Sequence, residues 1–367
     1  MRRFFRFLRQ ETVLSISLVL ALFSMVPVPP DRRYLSYIDW QTIAMLFCLM
    51  ITVQGFVDAG FFDWIREKLE RHHMSRRKNA MLLVLLVFFC SMLMTNDVSL
   101  IAFIPFTLLA YPKDDEKGLR NLVVLQTIAA NLGSMLLPVG NPQNLYLYQT
   151  YHIPFSRFVL GMLPLSLASL FLLVLLLLLL PFKGEAGHAT GKAKELDKQE
   201  LLTVSLLFLL CLATIIRLVD WRICLGILVL VMLCFFRHLF HKVDYALLFT
   251  FLFFFIFSGN MARITQVGLF IQHHIEGHEL SFSLLASQII SNVPAAILLS
   301  RFSPDGMALV YGTDIGGLGT LVASLASLIS FKAYGKSGCS KWAYLGTFTL
   351  WNLVFLVVLF AIGKLLA

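Results

Sequence analysis

Apolar runs alternate with short polar breaks along nearly the whole chain, and this pattern predicts helices throughout. Stretches at about 13–28, 39–59, 159–180, 201–216, 221–236, 244–259 and 342–362 read as uninterrupted spans of a bilayer. Two further spans are interrupted. One starts near Asn121 and breaks at 138–144 within Asn131-Leu-Gly133-Ser134-Met-Leu-Leu-Pro138-Val-Gly140-Asn141-Pro142-Gln143-Asn144. The other covers 307–331 and breaks at 314–320 within Asp314-Ile-Gly316-Gly317-Leu-Gly319-Thr320. Glycine, proline and asparagine at membrane depth survive only where the backbone is buried in protein or lines a cavity.

Two segments are apolar but too short to cross. Residues 80–94 and 98–111 flank Thr95-Asn96-Asp97, and arms of 15 and 14 residues cover only about 21–23 Å of a core about 30 Å thick. Basic residues lie on both sides, at Arg76, Arg77 and Lys78 and at Lys113, Lys117 and Arg120. The segment 80–111 therefore reads as a re-entrant hairpin entering from the cytoplasm. Residues 282–302, broken at Ser291-Asn292-Val293-Pro294, read as a second one.

The two broken spans match with an offset of 183 residues, which places Asn131 on Asp314, Gly133 on Gly316, Asn141 on Ser324 and Asn144 on Ser327. Ile38-Asp39-Trp40 likewise matches Val243-Asp244-Tyr245. Each match opens the same series: a span, an amphipathic stretch (61–79 or 262–280), a short-armed hairpin, a broken span and a closing span. The expected fold is an all-α polytopic membrane protein, an inverted-repeat transporter with about nine crossing helices, two re-entrant hairpins and two broken helices. Its expected parts are a first helix with its flank (1–36), repeat 1 (37–182, with the hairpin 80–111 and broken helix 121–150) and a cytoplasmic linker (183–200). Connecting helices (201–242) and repeat 2 (243–367, with the hairpin 282–302 and broken helix 306–331) complete it. Interrupted helices in corresponding halves point to a binding site at the repeat interface near mid-membrane.

Composition agrees with this picture. Of 367 residues 58% are apolar and 14% charged, with mean hydropathy +0.80, against about a quarter charged in soluble domains. The net charge of +9 does not mark a nucleic-acid binder, because the basic residues lie between apolar spans. With the N-terminus inside, this topology puts 22 of the 30 Lys and Arg on the cytoplasmic side, the expected bias for a multi-pass protein of the cell (inner, cytoplasmic) membrane. Five of the six cysteines sit in apolar runs without a CxxC pair, so neither disulfides nor a metal knuckle is indicated. The basic Met1–Arg9 and apolar 13–28 resemble a signal peptide, yet no small-residue cleavage site follows, and a retained helix is expected. HExxH, GxSxG and Walker motifs are absent, so an enzyme is not expected. His273, His274, Glu276 and His278 have helical spacing but lie outside any repeat match, so no metal site is expected there.

Thr-Asn-Asp at 95–97, Gly-Asn-Pro-Gln-Asn at 140–144, Ser-Asn-Val-Pro at 291–294 and Asp-Ile-Gly-Gly at 314–317 occur in that order. On these motifs the chain, from about Asp39 to its end, resembles the ion-transporter superfamily. That group holds arsenite permeases, citrate transporters, D-type sodium/proton antiporters and divalent anion–sodium symporters. The chain looks closest to the uncharacterised bacterial inner-membrane transporters of the YbiR type. The resemblance implies two hairpin tips and two broken helices around a central solute, with cation sites beside it. It gives hairpin-tip roles to Thr95, Asn96, Asp97, Ser291 and Asn292. Broken-helix roles fall to Asn131, Gly133, Gly140, Asn141, Asn144, Asp314, Gly316, Gly317, Thr320 and Ser324. The dicarboxylate-transporting members carry Ser-Asn-Thr at both tips; Asp97 and Val293 stand at the third positions here and argue against dicarboxylate specificity.

Helix N-termini at a break offer unpaired N–H groups to an anion, while unwound carbonyls and Asn, Ser and Thr oxygens suit Na⁺. Thr95, Asn96, Gly140, Asn141, Pro142, Asn144, Ser291, Asn292, Thr320 and Ser324 are thus expected on the solute, with Pro142 also breaking the helix. Asp97, Asn131, Gly133, Asp314, Gly316 and Gly317 are expected on Na⁺ or H⁺. Asp97 and Asp314 are the only acids within the four motifs, and an intramembrane acid is functional by default; Asp97 also reads as an N-cap for 98–111. The expected function is secondary active transport of a small anion (carboxylate or oxyanion) coupled to Na⁺ or H⁺. Alternatives are Na⁺/H⁺ antiport or arsenite-type efflux. No catalytic residue, no cofactor beyond Na⁺ as coupling ion and no nucleic acid are expected. The expected partners are the anionic solute, the lipid bilayer and, because members of the superfamily often dimerise, a second copy of the chain.

Overall fold

A computed structural model describes residues 11–70, 75–111, 115–182 and 194–366 and builds them into helices. The first helix is α1 (Thr12–Ser24), followed by the short α2 (Tyr34–Tyr37). Then come α3 (Trp40–Asp58), α4 (Phe61–Glu70), α5 (Arg76–Leu93), α6 (Asn96–Ala110), α7 (Glu116–Gly133), α8 (Pro142–Thr150) and α9 (Phe155–Leu179). The connecting helices are α10 (Lys198–Ile215) and α11 (Trp221–Phe235). The second series is α12 (Tyr245–Arg263), α13 (Thr265–Ile275), α14 (Glu279–Ile290), α15 (Asn292–Leu299), α16 (Gly306–Gly316), α17 (Leu325–Gly335) and α18 (Lys341–Leu366). Residues 1–10, 71–74 and 183–193, which hold most of the expected linker, lie outside the described residues.

Among the described residues, five helices are long and apolar enough to cross a bilayer: α3, α9, α10, α12 and α18. Helices α1, α6, α11 and α14 are apolar but shorter. Large apolar side chains such as Leu206, Leu230, Leu353 and Val357 are exposed on α10, α11 and α18, where hydrocarbon rather than water is the natural neighbour. The polar ends are fixed by side-chain caps. Asp39 and Asp244 accept from the backbone N–H of Thr42 (3.0 Å) and Leu247 (3.1 Å) at the starts of α3 and α12. Asp115 and Asp305 do the same for Gly118 and Ala308, both at 3.0 Å, at the starts of α7 and α16. Such caps stabilise a helix by about 0.5–2 kcal/mol each.

The two series share a contact pattern. Helix α5 packs on α7 as α14 packs on α16; α9 packs on α7 as α18 packs on α16. Across the series, α6 packs on α17 and α15 packs on α8. The interrupted pairs sit at the centre, with residues 121–135, 138–148 and 306–318 buried without exception.

The breaks fall elsewhere than expected by a few residues. The first covers 134–141 rather than 138–144, so Asn144 lies inside α8. The second covers 317–324 rather than 314–320, so Asp314 lies in the last turn of α16. Proline explains the first shift: Pro142 begins α8, a position that needs no N–H. The hairpin arms α5 and α6 hold 18 and 15 residues, longer than the expected 15 and 14. Helix α5 begins four residues earlier, at Arg76, because Ser75 accepts from the N–H of Lys78.

Two close approaches need glycine. A Cβ on Gly133 would stand 2.1 Å from the carbonyl oxygen of Phe88 on α5, and one on Gly140 would stand 2.2 Å from that of Ser134. Asp58 at the end of α3 holds the connecting region, taking Lys194, His238 and Lys242. Gly140→Ala is expected to force the first break apart and destabilise the protein by about 1–3 kcal/mol, seen as a lower unfolding temperature in detergent. Gly346→Ala, inside α18 with no neighbour within 4 Å, should keep or raise that temperature, because alanine is the better helix former.

Candidate functional site at the crossing of the two breaks

Each hairpin tip is closed by an asparagine in the same way. Asn96 donates its backbone N–H to the carbonyl of Gly140 (3.3 Å), and its side-chain oxygen accepts the N–H of Asp97 (2.9 Å). Asn292 donates its N–H to the carbonyl of Ala323 (3.0 Å) and accepts that of Val293 (3.0 Å). Ser291, just before the second tip, has φ +75°, a left-handed conformation that costs a non-glycine residue energy. Its hydroxyl donates to the Ala323 carbonyl at 3.3 Å.

The breaks are satisfied crosswise. Asn131, at the end of α7, accepts from the Asn96 amide at 3.1 Å and from the Ser324 hydroxyl at 2.9 Å. Its own amide points to the carbonyl of Gly317 at 3.5 Å. Asp314, at the end of α16, accepts from the amides of Asn141 (3.4 Å) and Gln143 (3.2 Å). Asn141 and Ser324 are the residues that open α8 and α17. Each short helix thus begins against a side chain from the other series, an acid in one case and an amide in the other. All six of these side chains, with Asn144, are buried.

Polar capacity is left over in one half of the cluster. Asp314 Oδ2, Asn141 Oδ1 and Asn144 Oδ1 are buried with no hydrogen-bond partner. Unpaired oxygens in a low-dielectric interior are costly, about 1–3 kcal/mol each, and a small cation would satisfy them. Among the described residues, the other half, around Asn131, Asn96, Ser324 and Asn292, has no charged side chain in its hydrogen bonds.

The remaining expected residues divide. Gly317 lies beside the crossing, where a Cβ would stand 3.2 Å from the Asn292 amide. Gly133 and Gly316 instead serve close packing on the arms: a Cβ at 133 would meet Phe88 on α5, and one at 316 would stand 2.7 Å from that of Ser287 on α14. Pro142 contributes backbone geometry at the first turn of α8. Thr95 precedes α6 without a side-chain capping bond. Thr320 is exposed, with its hydroxyl donated to the carbonyl of Gln288 at 3.0 Å, so it faces α14 rather than the cluster. Asp97 meets the cluster only through its backbone N–H, held by Asn96; its buried Oδ1 has no hydrogen-bond partner. It does not cap its helix either, because Thr95 holds that position and Asn96 accepts the Asp97 N–H.

Two residues escaped the sequence reading. Gln143 lies within the quoted motif yet was not singled out, although its amide is one of two on Asp314. Gln288 ties the second break, donating to the carbonyls of Gly316 (2.8 Å) and Leu318 (3.0 Å) and accepting from the N–H of Thr320 (2.9 Å). A glutamine in a mainly apolar arm was its signal. Arg301 donates to the carbonyl of Tyr37 at 2.8 Å and anchors the end of α15.

Asn131→Ala would strand the Asn96 amide and the Ser324 hydroxyl, at about 1–3 kcal/mol for each donor left buried. Thermal unfolding in detergent should fall further for Asn131→Ala than for Ser324→Ala, which removes a donor and leaves Asn131 bonded to Asn96.

Comparison with known proteins fits this architecture. An uncharacterized transporter of Methanocaldococcus jannaschii is 32% identical over 322 residues, 87% of each chain. The inner membrane protein YbiR of Escherichia coli is 30% identical over 335 residues, 87% of this chain and 86% of that one. A silicon efflux transporter of Oryza sativa is 30% identical over 162 residues, 44% of this chain and 33% of its own length. The family model described as "Citrate transporter" matches residues 6–303. The chain is a multi-pass membrane protein and belongs to the citrate transporter family.

Proposed function

We propose that the protein is a secondary active transporter of a small anion, coupled to Na⁺ or H⁺, in the cell inner membrane with its N-terminus in the cytoplasm. The observation that carries this reading is the crosswise cluster itself: two interrupted helices whose polar ends meet through Asn131, Asp314 and their partners. Interrupted helices meeting at the interface of two halves are the arrangement in which transporters hold substrates and ions. The coupling cation sits against Asp314, Asn141 and Asn144, whose oxygens lack partners. The anionic solute sits in the neutral half, near Asn96, Asn131, Asn292 and Ser324, beside the start of α17.

Alternating access follows from an inverted arrangement of α3–α9 and α12–α18, with α5–α6 and α14–α15 as re-entrant hairpins that move with the site. The paired contacts, the matching aspartate caps and the cytoplasmic excess of Lys and Arg support that topology. A second reading, Na⁺/H⁺ antiport, is favoured by one observation: the charge bonded within the cluster is an acid, and no Lys or Arg is bonded there among the described residues. Efflux of silicon, the solute in the name of the rice relative, or of arsenite would use the same neutral half.

A thermal-shift panel of citrate, succinate, sulfate, arsenite, silicic acid and amino acids, with and without Na⁺, tests the reading. One solute is expected to raise the unfolding temperature, and Asp314→Asn is expected to abolish any dependence of that shift on Na⁺. A cation dependence unchanged in Asp314→Asn would remove Asp314 from the ion site. A Na⁺ shift with no solute shift would favour antiport.

A further inference from the structure

A cavity of about 510 Å³ lies apart from the crosswise cluster, between α1, the start of α12, the tip of the α14–α15 hairpin and α17. Its walls are mainly aliphatic, with Leu14, Leu247, Ile290 and Leu328 among them. Four charged residues line it: Glu11 ahead of α1, Asp97 in the first turn of α6, Asp244 ahead of α12 and Lys332 on α17. Helices α5, α7, α14 and α15 bring no charged side chain to it among the described residues.

Charge identifies the side on which this cavity opens. Glu11 follows the basic Met1–Arg9, Asp244 follows Arg237 and Lys242, and Lys332 begins a segment that also holds Lys336 and Lys341. Segments rich in Lys and Arg mark the cytoplasmic side. Asp97 is different. It sits at the hairpin tip, its Oδ1 is buried without a hydrogen-bond partner, and the cluster makes no use of it. Hairpin construction does not require an acid there, since Val293 occupies the same place after Asn292 in the other tip.

We propose that this cavity is a cytoplasmic port through which protons reach Asp97, with α1 as its outer wall and Asp244 and Glu11 at its mouth. A proton needs one oxygen, whereas Na⁺ needs several, and a cavity with so aliphatic a wall offers few besides the carboxylates. The oxygens suited to a metal cation are gathered at Asp314 instead. Asp97 and Asp314 are then separate stations, one titrating from the cytoplasm and one beside the solute. The proposal rests on the transporter reading for the use made of the proton, but the port can be tested without any solute.

Single cysteines introduced as Ile290→Cys and Leu328→Cys in a cysteine-free background are treated with a membrane-impermeant maleimide. Inverted membrane vesicles expose the cytoplasmic face and spheroplasts the outer face. Both sites should label at least tenfold faster from the cytoplasmic face; equal or faster labelling from outside, or none from either face, overturns the port. Infrared difference spectra of the purified protein across a pH series read the proton directly. A carboxylic C=O band that titrates with pH should vanish in Asp97→Asn, return displaced in Asp97→Glu, and ignore Na⁺. A band unchanged in Asp97→Asn, or a titration displaced by Na⁺, overturns the proton assignment. If Asp97→Asn fails to fold, comparison of Asp97→Glu with wild type decides. Correct labelling and titration with no solute shift in any panel would leave the port standing and count against the transporter reading alone.

Discussion

Interrupted backbone in the middle of a bilayer has to find hydrogen-bond partners inside the protein, because lipid supplies none. The rest of this structure depends on that constraint. The carbonyls of Gly140 and Ala323, exposed by the two breaks, are taken by the backbone N–H groups of Asn96 and Asn292. The side chains that end α7 and α16 are taken by residues of the opposite series. Hairpins, breaks and the interface between halves are consequently one bonded unit. Stability and the proposed ligand site are located in the same few residues.

The two series match in these backbone bonds and differ in charge. Asn131 and Asp314 occupy equivalent places, as do Asp97 and Val293, and at each pair one member is an acid. An ordinary two-fold design would need neither acid, because amides and hydroxyls already satisfy the breaks. The acid at 314 bonds two amides yet leaves oxygens without partners, and the acid at 97 faces a separate cavity. On the proposed reading, this divergence separates a solute-holding half from ion-handling positions.

Much of this was legible in the sequence. Helix-period apolar runs, the offset of 183 between the breaks and the repeated Asp39 and Asp244 openings located the elements to within a few residues. Asn96, Asn131, Asn141, Asp314 and Ser324 could be named because polar residues are rare and costly at that depth. What the sequence did not show was partnership. Nothing in it indicates that Asn131 reaches Ser324 across 193 positions or that Gln288 ties the second break. Thr320 and Asp97 show the limit most clearly. Both are polar residues in a motif, yet one faces α14 and the other a cavity outside the cluster. Direction relative to the motif depends on helix phase, and a shift of the break by three or four residues changes that phase.

On the proposed reading, the cluster couples movement of a solute to movement of a cation. The most direct measurement is uptake into proteoliposomes of whichever solute stabilises the protein, with Na⁺ and pH gradients imposed separately. Coupled transport gives accumulation above the external concentration when one of these gradients is present, and its loss when that gradient is collapsed. Flux that only follows the solute's own gradient, indifferent to Na⁺ and pH, would contradict it.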